Sequence, residues 1–132
     1  MDNLRNASGF TLMELLVVVV IIGLLAAIAV PRYTETRVGA FRASLISDLR
    51  NLSTSQEAHW RMQDGYAETL QELDISASPN VTLTLTEGDL TGWAARAVHR
   101  SLPRETCGVF YGTADAAAVA PASSAVEIRC TF

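Results

Sequence analysis

Glu14 stands alone at the start of a membrane-length apolar run. Nine residues, Met1 to Gly9, precede Phe10-Thr11-Leu12-Met13-Glu14, and sixteen apolar residues, Leu15 to Val30, follow. A charge within a bilayer-spanning helix is costly and marks a partner or an ion pathway. Phe10 lies four residues before Glu14, on the same helical face. If the chain were cut after Gly9, the new α-amino group on Phe10 would be a cation able to pair with Glu14. The chemistry suggested is processing followed by charge pairing, with the chain as the substrate.

Energetics alone do not demand that partner. The twelve Leu, Ile and Val residues between Leu15 and Val30 supply roughly −4 to −7 kcal/mol of insertion free energy, against roughly +3 kcal/mol for a central acid. A plain single-span anchor would therefore tolerate Glu14. The order of elements says more: a secretory signal is cleaved after its apolar region, whereas the small residues Ala7, Ser8 and Gly9 lie before it. Arg5 and the initiating amine outweigh Asp2, a weak positive bias that places the N-terminus in the cytoplasm.

The run Gly9-Phe10-Thr11-Leu12-Met13-Glu14-Leu15-Leu16 resembles the class III signal of bacterial type IV prepilins and the related pseudopilins. The resemblance implies cleavage between Gly9 and Phe10 by prepilin peptidase, N-methylation of Phe10, storage in the bacterial inner membrane as a single-pass precursor, and polymerisation into an extracellular type IV pilus filament. It assigns Glu14 to assembly, through pairing with the Phe10 amine of a neighbouring subunit. The partners it implies are identical or related pilin subunits, prepilin peptidase, membrane lipid before assembly, and inner-membrane assembly machinery with a separate ATPase. Adhesion, twitching motility and DNA uptake are the roles of such filaments. Neither a cofactor nor an enzymatic activity is implied.

Length and pattern fit an α+β fold with a long N-terminal helix on a small antiparallel β-sheet head. Of 132 residues, removing a nine-residue leader leaves 123, enough for a helix and one modest domain. Residues 1–9 read as the leader, 10–30 as the transmembrane or filament-core helix, 31–62 as its amphipathic half, and 63–132 as the head. In the amphipathic half, Val38, Phe41, Leu45, Leu49 and Leu52 recur three and four apart, a single apolar stripe that must bury itself. Gly23 and Pro31 are candidate helix breaks. A Pro removes a helix hydrogen bond and predicts a bend, and the resemblance adds that the segment between them can lose helicity when subunits pack.

Beyond Asp64-Gly65-Tyr66, a helix stop, the sequence predicts a short helix at Thr69–Leu73 and strands at Val81–Thr86, Trp93–His99, Cys107–Tyr111 and Ala125–Phe132. Trp60, Trp93, Phe110 and Tyr111 are assigned to the head core. Cys107 and Cys130 are the only cysteines, and a head exported to an oxidising compartment would join them as a disulfide, a feature that also resembles the C-terminal loop of type IVa pilins. No Cys-x-x-Cys, phosphate-binding loop or His-Glu-x-x-His pattern is present, so no metal site is assigned.

Three further readings stay open. A type II secretion pseudopilin would share the N-terminal features; the resemblance gives its major form a calcium-bound head loop without the cysteine pair, for which Glu87, Asp89 and Asp115 are scattered candidates. A minor pilin and a membrane-tethered binding domain are the others. The net charge of −4 argues against a general nucleic-acid surface. Arg96, Arg100 and Arg104, with Trp93 as a stacking face, are the only local case for binding DNA. His59 and His99 are isolated. All ten basic side chains are Arg, for which we have no functional account.

Overall fold

The computed structural model describes residues 9–132. The chain divides into two compact units at Arg37/Val38. Helix α1, Leu12–Gln63, contributes to both.

In the first unit every described residue from Gly9 to Arg37 is exposed, and this part of α1 is long and apolar enough to cross a membrane. Its start is a capping box. The Thr11 hydroxyl accepts the Glu14 backbone N–H at 3.2 Å, while the Thr11 N–H and hydroxyl each donate to Glu14 Oε2 at 2.9 Å. The helix runs on through Gly23 and Pro31, so neither residue ends it in the single chain. Pro31 has no N–H to offer the Ala27 carbonyl. The Thr34 and Thr36 hydroxyls donate to the carbonyls of Val30 and Arg32 just beyond it.

In the second unit, residues 38–63 of α1 pack on a four-stranded antiparallel sheet of order β1-β2-β3-β4. The strands are β1 Val81–Gly88, β2 Gly92–His99, β3 Leu102–Gly112 and β4 Arg129–Cys130. Leu45, Leu49 and Leu52 are fully buried against Trp93, Ala95, Ala97, Cys107 and Val109. Small residues on the sheet let the helix approach closely.

Polar side chains also lie on the buried stripe, and they hold the 64–80 connection. Asp48 accepts from the Ser78 N–H at 2.8 Å and hydroxyl at 2.7 Å. The Gln56 amide accepts the Ala67 N–H and donates to its carbonyl, and His59 Nδ1 donates to the Gly65 carbonyl at 2.9 Å. Fully buried Gln56 thus satisfies an irregular backbone that water cannot reach.

The outer face of the sheet carries a second, smaller cluster: Ala94, Ala114, Val119 and Ala122 with Phe110. The Ala-rich stretch includes a 3₁₀ turn at Ala116–Val119. It lies so close to β3 that a Cβ on Gly108 would collide with the Val119 carbonyl.

Three expectations need correction. Thr69–Leu73 forms turns, with Leu73 and Asp74 N–H groups bonded three residues back; the Ser78 and Ala67 clamps dictate the path there. The strand expected over Ala125–Phe132 shrinks to two residues, because Val126 adopts φ +66 and its N–H donates to the Phe110 carbonyl. Trp60 and Tyr111 are 43% and 36% exposed, and Tyr66 takes the inner position instead.

Candidate functional site

The processing and pairing residues sit at the described N-terminal end. Gly9 and Phe10 precede the helix and both are exposed, Phe10 at 87%. An uncovered peptide bond before a helix is open to a protease. Glu14 occupies the first turn, where a carboxylate favours the positive end of the helix dipole. Both side-chain bonds it makes to Thr11 fall on Oε2. Oε1 has no donor among the described residues, so one oxygen fixes the local turn while the other stays open to a cation from outside.

Leu12 to Val30 surround that carboxylate with uncovered apolar surface, most side chains being about half exposed or more. Contiguous apolar area of this extent marks a membrane or protein contact. A charge transferred into such surroundings is tolerated only when paired.

In the head, Cys107 and Cys130 are directly opposite in the β3–β4 register and joined by a disulfide, their Cα atoms 4.1 Å apart. With a separation of 23 residues, the chain-entropy stabilisation is about 3 kcal/mol. Arg42 reaches β3 through a two-pronged bond to Glu105, 2.8 Å from Nε and 2.6 Å from Nη2. The guanidinium hydrogen bond holds the Glu105 carboxyl below its ordinary range, and Arg42 also lies 4.7 Å from the Phe132 ring centroid. The ion pair spans 63 residues, and no local pattern announces it.

The remaining candidates are placed as follows. His99 is buried and stacked 4.1 Å from Phe41, with Nδ1 accepting the Ser101 N–H. Trp93 is 2% exposed, so it offers no stacking face to a nucleic acid; its buried indole N–H has no partner among the described residues. Arg96, Arg100 and Arg104 are exposed. Glu87 accepts the Asp115 N–H, Asp115 caps Ala117, and Asp89 accepts from Thr91 and Gly92. These carboxylates serve the backbone, and among the described residues no group of three His, Cys, Asp or Glu is arranged to hold a metal. Donation from Thr91 and Gly92 holds the Asp89 carboxyl low.

Sequence comparison supplies the remaining constraint. Residues 4–30 match the prokaryotic N-terminal methylation motif. The chain is 31% identical over 100 residues to the type IV wide pilus major component PilA4 of Thermus thermophilus, covering 73% of this chain and 76% of that one. It is 38% identical over 74 residues to the type IV major pilin protein PilA of Myxococcus xanthus, 56% of this chain and 33% of that one. With the type II secretion system core protein G of Aeromonas hydrophila the identity is 36% over 70 residues, 53% of this chain and 49% of that one. The matches thus span a third and about half of the last two relatives.

Proposed function

Because the chain belongs to the type IV pilin family, a family of structural proteins and not of enzymes, we propose that it is a structural subunit of a type IV pilus. Prepilin peptidase hydrolyses the Gly9–Phe10 bond on the cytoplasmic side, leaving the leader with a carboxylate at Gly9 and the mature chain with an ammonium at Phe10. N-methylation leaves that nitrogen basic. The apolar part of α1 anchors the precursor in the inner membrane and then becomes the packed core of an extracellular filament. A separate ATPase drives the transfer.

The observation that carries this reading is the open Oε1 of Glu14 beside exposed Phe10, on a helix uncovered on all sides. The Phe10 ammonium of one subunit fits that oxygen on its neighbour. A subunit docked one helical turn out of register would leave two charges unpaired among apolar side chains, which is far costlier than a lost contact. Pairing therefore selects one axial register. Gly23 and Pro31 supply the stretch of α1 that loosens most readily when helices crowd together, since Gly adds backbone freedom and Pro leaves the Ala27 carbonyl unbonded.

The similarity to core protein G favours a second reading, a pseudopilin of a type II secretion system. Two observations support the pilus subunit over it: the Cys107–Cys130 bond and the use of Glu87, Asp89 and Asp115 as backbone caps. The test is to replace Glu14 with Gln and Gly9 with Val. Glu14→Gln is expected to yield a processed chain that remains in the membrane, and Gly9→Val an unprocessed one. Surface filaments built from either variant at the normal level would overturn the reading.

A further inference from the structure

The two ends of the head differ in charge and in apolar exposure. One end, the tip, gathers the C-terminus of α1 and the β1–β2 turn: Tyr66 N–H donates to the Asp89 carbonyl, and Leu90 lies against Gly65. Trp60, Met62 and Leu90 are exposed there at 43%, 75% and 72%. Tyr66 bridges Trp60 and Tyr111 with ring centroids 6.4 and 5.6 Å away. Burial, followed by the charge of Glu57 and the Tyr111 hydroxyl, pushes the Tyr66 phenol up to about 12. Exposed acids lie around this apolar patch: Glu57 acts on Tyr66, Asp64 follows the end of α1, Glu68 lies against Gly88 and Asp89 sits in the β1–β2 turn, with Arg61 exposed in the last turn of α1.

The opposite end, the base, gathers the β2–β3 turn and residues 41–42 of α1, tied by Phe41 on His99 and Arg42 on Glu105. Arg100 and Arg104 are exposed there and form no ion pair among the described residues. Phe132 is 43% exposed, its ring centroid 4.7 Å from the Arg42 guanidinium. Along β2, from Trp93 opposite Gly88 to His99 opposite Val81, six residue steps separate tip from base, or about 20 Å.

An apolar patch with a charged rim is the anatomy of a protein interface, and a Trp at its centre is a typical anchor. The same molecule carries the complementary charges on its far end. A contact between two different surfaces of one chain is head-to-tail and does not close on itself, so it propagates. We propose that the tip of one head docks on the base of a second copy, Trp60 and Leu90 packing on the Phe132 region while Arg100 and Arg104 meet the acidic rim. The contact deepens the pilus-subunit reading and rests on it, since propagation along an axis needs a filament.

The test places a benzophenone amino acid at Leu90 of the full chain and irradiates filaments sheared from cells. Adducts joining this position to the peptide around Arg100–Arg104 of a second copy are expected. Trp60→Ala and the double variant Arg100→Glu/Arg104→Glu should each reduce filament yield about tenfold or more. Combining that double variant with Glu57→Arg/Glu68→Arg should restore part of the yield, and disulfide formation reports that the heads fold. Filaments that form normally in these variants, or adducts only to other surfaces, would overturn the contact while leaving the pilus subunit intact. Retention on duplex DNA that depends on Arg100 and Arg104, with filament yield unchanged, would reassign the base to nucleic acid. Absence of filaments from the wild-type chain would instead defeat the parent reading.

Discussion

The two halves of α1 share one backbone pattern and differ in where their apolar side chains go. From Leu12 to Val30 they face outward on every side, whereas from Val38 onward a single stripe is buried against the sheet. A helix apolar all round needs surroundings supplied from elsewhere, and one with a stripe needs only a partner face. On the reading proposed above the first half serves assembly, and the second forms the head with the sheet. Mutations should separate these functions cleanly.

The largest stability effect is expected in the second half. Leu49→Ala leaves a cavity under the sheet and should cost about 3 to 5 kcal/mol, read by chemical denaturation of the detergent-solubilised chain. Leu16→Ala in the first half should leave that transition unmoved. If both shift it equally, the division of labour is wrong. Cys107→Ser with Cys130→Ser removes the β3–β4 bond and should cost about 3 kcal/mol, with no change in processing at Gly9. Gln56→Ala strands the Ala67 amide and carbonyl and should cost about 1 to 3 kcal/mol. Its effect should appear first as proteolytic sensitivity of the 64–80 segment.

Much of this division can be read in the sequence. Leu45, Leu49 and Leu52 at three- and four-residue spacing announce the buried stripe, and the alternation of Val81 to Thr86 announces β1. Thr11-x-x-Glu14 is a legible capping box, although the charge of Glu14 draws attention to the missing cation and away from Thr11. Asp48 and Gln56 on the apolar stripe signal buried bonds without naming Ser78 or Ala67 as partners. Arg42 and Glu105 cannot be paired from sequence, because their contact depends on how the sheet lies on the helix. Val126 misleads most: a β-branched residue suggests a strand, and only tertiary bonding to Phe110 holds it in the left-handed region.

The smallest effect concerns the Arg42–Glu105 link, where both side chains are partly exposed and solvent screens the pair. Glu105 has a lowered pKa in the folded chain. Its contribution is therefore present above the unfolded carboxyl value and is lost as pH falls through the lowered folded value. Acidification should slightly weaken the head, and Glu105→Gln should flatten that part of the pH profile. A profile unchanged by Glu105→Gln would remove the ion pair from the account.

Intact mass and N-terminal analysis of filaments sheared from the cell surface, with the membrane fraction alongside, test the central claim most directly. A chain that begins at Phe10, carries one methyl group on its nitrogen and is found in the filaments is the predicted result. A chain still beginning at Met1 in both fractions would contradict it, and a processed chain confined to the membrane would transfer the protein to the pseudopilin reading.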